Sequence, residues 1–366
     1  MNKRILAASV LTAVLGVAAH GQTYTLTPLT SFGGGDGWLA PTEGGISYLT
    51  TGTTERGLAY NGVTGNLVLV SRAGGNNIKV LDGDSGADLG SLNATGISGG
   101  TFPVNMVGVS DDGAIYVGNL STAANANFKV YKWTSEADGL TTAPTVAYDA
   151  LSGLARTGDS FAVQGAGASA QFAAAGTSAT SASSFAVGPL NASNASVSYL
   201  SVPTTSTGSN DYRLSLAFLD GDTLIGNQGA NGRVTDFNGS TASVAYTIPL
   251  GAAQRALDYT IIGGTPYLAV LDSNSSLLSI YDVSNPTSPS LAASGTTTTG
   301  PLTSNGNGTG SVAWGDITGN TATVYAMNSS QGIQAMTFTV VPEPEEYAMM
   351  AAGSLIAFGV WRRFRR

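Results

Sequence analysis

Two stretches that lie far apart in the chain follow one pattern: LAYNGVTGN at residues 58–66 and VAWGDITGN at residues 312–320. Each reads as an apolar strand, a Thr-Gly-Asn turn and the start of a second strand. Tyr60 and Trp314 occupy equivalent positions in the two stretches and are 254 residues apart. We therefore interpret the stretches as the first and last copies of an internal repeat.

Four related copies lie between these two stretches. Three of them contain an apolar strand, an acidic or glycine-rich turn and a second strand, at residues 106–119, 214–227 and 257–271. A more degenerate copy spans residues 161–185. Five intervals between six copies give about 51 residues per copy, which is close to the length of the longer propeller blades.

Most copies also contain a third strand, a turn-rich stretch and a weaker fourth strand. The third strands are predicted at residues 78–81, 128–133, 234–237, 278–283 and 333–340. Four short antiparallel strands per repeat are typical of a propeller blade. The sequence thus predicts an all-β protein, with a six-bladed β-propeller over residues 22–340. Seven blades and a β-helix are the alternatives.

The last copy has only three strands before the C-terminal tail. The alternating stretch within residues 24–32 is predicted to supply its missing outer strand, because pairing the two chain ends removes an open sheet edge. The Ala/Ser/Thr-rich residues 165–184 and the threonine run at 296–299 are predicted to be rim strands or loops.

The N-terminal 21 residues have the features of a secretory signal peptide. A basic start precedes an apolar run at residues 5–17, and small side chains precede a cleavage site between Gly21 and Gln22. The apolar run is too short to cross a bilayer core of about 30 Å. Cleavage would remove His20, the only histidine, from a chain that has no cysteine. The mature protein is thus predicted to lack disulfides, thiol or histidine catalysis and histidine metal sites.

The C-terminal residues 341–366 combine an acidic proline-containing segment, an apolar stretch and a basic end. The apolar residues 347–361 are predicted to form a transmembrane helix of about 22 Å, with the basic end in the cytoplasm. The features of this tail that suggest sorting are Pro342, Glu343, Pro344, Arg362, Arg363, Arg365 and Arg366.

This tail resembles the PEP-CTERM sorting signal of Gram-negative bacteria, because all three elements occur in the right order. The resemblance covers 26 residues and implies recognition by exosortase and cleavage near the tripeptide. It also implies an inner-membrane intermediate, followed by release to, or attachment at, the cell surface or the extracellular matrix, often in species that make exopolysaccharide. A plain membrane anchor is the alternative reading.

Arginines mark the predicted first strands. Arg56, Arg213 and Arg255 each stand just before the first strand of a copy, and Arg156 has a similar position in the degenerate copy. Because first strands line a propeller channel and begin at one rim, these arginines are expected to converge on one mouth. Guanidinium groups there would bind carboxylate or sulfate groups. Alternatively, each arginine pairs with an aspartate of a neighbouring blade.

The remaining motifs do not predict a metal, a cofactor or a nucleic acid. Asp82, Asp84 and Asp88 superficially resemble a calcium loop, but Asn93 stands where the bidentate glutamate is needed, so a β-turn is predicted. Nine basic against 23 acidic residues give residues 22–346 a net charge of −14, which would repel nucleic acid.

Two functions from different classes are consistent with this sequence. The first is a non-enzymatic, exported binding or structural module, with signal peptidase and exosortase as processing partners and an anionic exopolysaccharide as ligand. The second is a carboxylate-dependent polysaccharide hydrolase or lyase. A third possibility, also non-enzymatic, is a scaffold that binds no small ligand. Two carboxylates about 5–10 Å apart in the channel mouth would favour the enzyme.

Overall fold

The computed structural model describes residues 22–180, 182–190, 198–201, 210–239, 241–300 and 302–341. The predicted signal peptide up to Gly21 and the predicted tail from Pro342 onward, including the helix at 347–361, lie outside these residues. None of the helices in the described ranges has the length and hydrophobicity needed to cross a membrane.

The described residues form six antiparallel sheets, five with four strands and one with five, and each has a path of four strands in order from the channel outward. Blade 1 contains β3 Glu55–Asn61, β4 Asn66–Ser71, β5 Asn77–Asp82 and β6 Asp88–Ser91. Blade 2 contains β7 Phe102–Val109, β8 Ile115–Leu120, β9 Phe128–Trp133 and β10 Thr145–Ala150. Blade 3 contains β11 Arg156–Gln164, β12 Gln171–Thr177, β13 Ser184–Pro189 and β14 Ser198–Ser201.

Blade 4 contains β15 Ser215–Phe218, β16 Thr223–Asn227, β17 Asn231–Asn238 and β18 Thr241–Pro249. Blade 5 contains β19 Gln254–Ile262, β20 Thr265–Asp272, β21 Leu278–Asp282 and β22 Ser290–Gly295. Blade 6 contains β23 Gly310–Thr318, β24 Thr321–Asn328, β25 Gly332–Val341 and the N-terminal β1 Thr23–Pro28, with the short β2 Trp38–Leu39 also paired to β25.

The first strands of the six blades contact one another in a closed ring, from β3 through β7, β11, β15 and β19 to β23 and back to β3. This arrangement is a six-bladed β-propeller, as the repeat predicted, so the seven-bladed and β-helix alternatives are wrong. Gly65 and Gly319, in the two Thr-Gly-Asn turns that define the repeat, adopt φ angles of +78° and +60°. Glycine is favoured in such hairpin turns because it adopts positive φ without steric cost.

The pairing of the two chain ends is confirmed. Strand β1 is the outermost strand of blade 6 and pairs with β25, so the ring is closed by the N-terminal segment. Tyr24 of β1 stacks on Phe338 with a centroid distance of 5.9 Å. Burial of this aromatic pair adds side-chain contact to the backbone pairing.

The apolar core is divided among the gaps between blades. Blades 1 and 2 share one buried cluster, and further clusters join blades 2 and 3, 3 and 4, 4 and 5, and 6 and 1. Between blades 5 and 6, the rings of Tyr267 and Phe338 meet edge to face at 5.1 Å. Each blade thus buries both sheet faces, which explains why strands such as β4 and β8 are nearly continuously apolar.

One part of the Ala/Ser/Thr-rich segment does not lie at the rim. The degenerate copy forms a complete blade 3, and its second strand β12 contains Phe172 followed by three alanines, all four of them fully buried. The prediction of rim strands or loops for residues 165–184 was therefore wrong for β12. On one face of β12, Ala174 shares a buried cluster with Phe128 and Tyr148 of blade 2. On the other face, Ala173 and Ala175 share a cluster with Phe185. The small alanine side chains fill the space left between these large rings.

A buried carboxylate links blade 2 to blade 1 through hydrogen bonds. Glu136, on the short helix α1 Glu136–Gly139, accepts hydrogen bonds from Asn61 Nδ2 at 2.7 Å, Thr64 Oγ1 at 2.6 Å and Asn66 Nδ2 at 2.7 Å. All three donors belong to the first hairpin of blade 1, so one side chain spans the gap between blades.

Replacing Glu136 by alanine is expected to lower the free energy of unfolding by about 3 kcal/mol, because three donors lose a charged acceptor. Glu136→Gln, which keeps one acceptor oxygen, should cost roughly half as much. Chemical denaturation measures both values. The exposed Asp111→Ala is the control and should stay within about 0.5 kcal/mol of the wild type. An equal effect of all three changes would contradict the role of Glu136.

Candidate functional site

The channel end at which the inner strands begin holds a cavity of about 410 Å³. We call it the arginine mouth, because its lining includes Arg56, Arg72, Arg156 and Arg213. Arg156 is the first residue of β11, Arg56 is the second residue of β3, and Arg213 lies two residues before β15. The structure therefore brings together three of the four arginines that the sequence predicted to converge.

The fourth predicted arginine, Arg255, is not among the residues that line this cavity. Its guanidinium lies against Gly308, where an added Cβ would be 1.6 Å from Arg255 Nη1. Asn307 and Thr309, on either side of Gly308, line the mouth. Arg255 therefore contacts the loop before β23, and the neighbouring residues of that loop line the cavity.

Arg72 lines the mouth although it is not one of the four arginines predicted to converge. It follows the second strand β4, whereas the predicted arginines lie at the starts of first strands. Antiparallel pairing places Glu55 of β3 opposite Ser71 of β4, and the Arg72 backbone N–H donates to Thr54 O at 3.0 Å. The end of a second strand therefore lies beside the start of the first, and this hairpin rule would have identified Arg72.

Asp159 is the one carboxylate among the described residues that line the arginine mouth. Its two oxygens accept hydrogen bonds from Arg156, with Nε–Oδ2 at 2.5 Å and Nη2–Oδ1 at 2.6 Å, and from Arg213 Nε at 3.1 Å. Arg213 of blade 4 thus pairs with an aspartate of a neighbouring blade, as the alternative prediction stated. Arg156 instead pairs with an aspartate of its own blade, because Asp159 also belongs to blade 3.

Arg56 and Arg72 form no ion pair with a carboxylate in the described part of the chain. Arg56 Nη1 donates to Thr309 Oγ1 at 2.9 Å and Nη2 donates to Thr53 O at 3.0 Å. The Arg72 guanidinium lies 3.6 Å from the centroid of the Phe102 ring. Both groups are held by neutral partners and keep their charge available.

Burial shifts the pKa values of both free guanidinium groups. It lowers the pKa of Arg56, and it lowers that of Arg72 to about 10 with a further contribution from the positive charges of Arg56 and Arg156. Arginine keeps its positive charge at neutral pH in proteins, so four arginines face one aspartate. The arginine mouth therefore has an excess of positive charge in a protein that is acidic overall.

Below this mouth the channel narrows to a cavity of about 50 Å³. Six apolar residues, one from each inner strand, line both this narrow part and the cavity at the other end of the channel, and these are Leu58, Val107, Phe161, Leu216, Leu257 and Val312. We call this ring the apolar constriction. It separates the arginine mouth from the other end of the channel.

The other end of the channel holds a cavity of about 270 Å³, which we call the acidic cup. Its lining includes Tyr60, Gln164, Asp258 and Trp314. Burial raises the pKa of Asp258 to about 6. Tyr60 and Trp314 thus line the channel, and Tyr259 packs against the apolar core between blades 4 and 5.

The aspartates of residues 82–88 form a turn, as predicted. Asp82 Oδ1 accepts from the backbone N–H of Ser85 at 2.8 Å, and Asp88 pairs with Lys79 at 2.8 Å. Over the residues that the structure describes, no cluster of three or more His, Cys, Asp or Glu side chains is arranged to hold a metal ion.

Comparison with known proteins supports the fold. Residues 40–214 match the model of a family described as a domain of unknown function (DUF4623). The chain is similar to a crystal structure of a DUF4623 family protein from Bacteroides eggerthii DSM 20697, with 16% sequence identity and a TM-score of 0.60. The match covers 88% of this chain and 76% of that one.

Two other solved structures are similar at a lower level. A nidogen/laminin complex has 13% identity and a TM-score of 0.43, with 66% of this chain and 79% of that one covered. A luciferin-regenerating enzyme has 13% identity and a TM-score of 0.45, with 81% and 94% covered. No curated protein sequence matches the chain.

Proposed function

We propose that this propeller is an exported binding module whose arginine mouth takes a carboxylate or sulfate group of an acidic polysaccharide at the cell surface or in the extracellular matrix. The observation that carries the proposal is the pair Arg56 and Arg72, two partly buried arginines that form no ion pair with a carboxylate among the described residues and line one cavity. A bound anion would supply the missing charge.

The chemistry of the mouth suits such a group. Guanidinium groups bind carboxylates and sulfates through paired hydrogen bonds, which are stronger in a partly desolvated cavity than at an open surface. The volume of about 410 Å³ is typical of sites for small ligands, which range over about 300–1,000 Å³. Phe102 and Leu214 add apolar surface on which the body of a sugar ring would pack.

Export and sorting belong to the same proposal. The signal peptide and the tail that resembles a PEP-CTERM signal imply signal peptidase and exosortase as processing partners. Sorting would carry the propeller through an inner-membrane intermediate to the cell surface or matrix of a Gram-negative bacterium. Such a location would place the arginine mouth among the exopolysaccharides of the host.

A binding role is favoured over a polysaccharide hydrolase or lyase. Glycosidases use two carboxylates about 5–10 Å apart. Among the described residues, the arginine mouth is lined by Asp159 alone, which is already bound to two arginines, and the acidic cup by Asp258 alone. The absence of a second carboxylate from these two linings, over the described residues, supports binding over hydrolysis or elimination.

The proposal is tested with the processed protein recovered from the medium or membranes of its host. Intact mass is expected to give a chain that begins near Gln22 and ends near Pro344. In biolayer interferometry, this protein should bind immobilised alginate or dextran sulfate and should not bind neutral dextran. Equal binding to neutral dextran, or no binding to either acidic polymer, would overturn the proposed ligand class.

A chain that still contains Trp361 in every cell fraction would instead contradict the sorting part of the proposal. The binding measurement then remains valid, because the arginine mouth does not depend on the tail.

A further inference from the structure

The acidic cup lies at the channel end opposite the arginine mouth and has a different character. Asp258, Trp314 and Tyr60 come from the inner strands of blades 5, 6 and 1, which are consecutive in the ring. The apolar constriction forms its floor. The cup is therefore a separate cavity of about 270 Å³, and occupation of one channel end leaves the other open.

The Asp258 carboxylate is fixed in position but not neutralised. Its Oδ2 accepts from the Trp314 backbone N–H at 2.9 Å, and its Oδ1 accepts from the Tyr259 N–H at 2.9 Å. No lysine or arginine lines the cup, and Asp258 forms no ion pair within the described residues. A partly buried carboxylate without a cation partner is costly, so a cationic ligand would be stabilised there.

Two aromatic residues, Trp314 and Tyr60, line the cup together with Asp258. The Trp314 indole is oriented by a hydrogen bond from its Nε1 to Asp258 O at 3.2 Å. Tyr60 stacks on Tyr325 with a centroid distance of 5.7 Å, and its hydroxyl hydrogen-bonds to Asp316. Aromatic faces attract organic cations, and a nearby carboxylate strengthens the attraction.

We propose that the acidic cup binds an organic ammonium group, with Asp258 as its counter-ion and Trp314 and Tyr60 as its aromatic walls. The volume admits a small alkylammonium, a choline headgroup or one amino-sugar unit, and these share the same charged group. The proposal does not depend on the arginine mouth, because it rests on other residues at the other end of the channel.

The test compares choline with its neutral isostere 3,3-dimethylbutan-1-ol on the processed wild-type protein. The signal is the indole N–H resonance of Trp314 in a ¹⁵N-labelled sample, assigned through the Trp314→Phe variant. Choline is expected to shift this resonance saturably and to bind at least about tenfold more tightly than the neutral compound. Equal affinities, or no shift with choline up to solubility, would overturn the proposal.

A variant adds an independent measurement. Asp258→Asn should weaken choline binding at least about tenfold, while Asp111→Asn, which removes the same charge at an exposed position, should leave it unchanged. If Asp258→Asn fails to fold, since an amide nitrogen would face a backbone N–H, the wild-type comparison of the two compounds still decides. Choline affinity that is unchanged in a folded Asp258→Asn variant would also overturn the proposal.

Discussion

The double variant Arg56→Ala/Arg72→Ala is expected to bind acidic polysaccharide at least about 100-fold more weakly than the wild type. A hydrogen bond to a charged group contributes about 1.5–3 kcal/mol, and about 1.4 kcal/mol corresponds to a tenfold change in affinity. Each single variant should therefore lose about tenfold. Biolayer interferometry on immobilised alginate at fixed salt concentration measures all three.

The matched control is Lys79→Ala/Lys132→Ala, which also removes two positive charges but at residues outside the arginine mouth. Lys79 pairs with Asp88, and Lys132 lies over the Tyr116 ring. This control should change the affinity less than about threefold, because long-range attraction is screened within about 10 Å at 0.1 M salt. An equal loss in both double variants would mean that net charge, and not the mouth, governs binding.

The second large effect is expected at Gly158, which lies in the bulge that carries Asp159. Strands β11 and β12 pair at Thr157 and resume at Ser160, so Gly158 and Asp159 are left without partners in the ladder. Gly158 has a φ of +98°, and an added Cβ would lie 2.0 Å from Asn119 O. We expect Gly158→Ala to lower the free energy of unfolding by about 3 kcal/mol, through backbone strain and this clash.

Gly62→Ala is the control for this substitution. Gly62 follows β3 in an ordinary backbone conformation, and no atom lies within 4 Å of an added Cβ. The free energy of unfolding of the Gly62→Ala variant, measured by urea denaturation, should stay within about 0.5 kcal/mol of the wild-type value. If Gly158→Ala were equally harmless, the bulge would not be fixed by close packing against β8, and the position of Asp159 would need another explanation.

The blades were predictable because their signals are local. A strand, a Thr-Gly-Asn turn and a second strand occupy about 20 consecutive residues, and the physics of a hairpin acts over that distance. The missing fourth strand of blade 6 also pointed to residues 24–32, since an open edge has to be paired. Blade 3 was harder to recognise because its buried second strand uses alanines, whose partners Phe128 and Tyr148 belong to another blade.

The sequence by itself determined the repeat, the six blades, the closing role of the N-terminal strand and the arginines at the starts of inner strands. Only the tertiary structure decided which charges remain free. Arg156 and Arg213 both pair with Asp159. Arg255 contacts the loop at Gly308 and does not line the cavity, whereas Arg72 lines it together with Arg56. The reason is physical: strand periodicity follows from neighbours along the chain, whereas the balance of charge in a cavity depends on groups that six separate blades bring together.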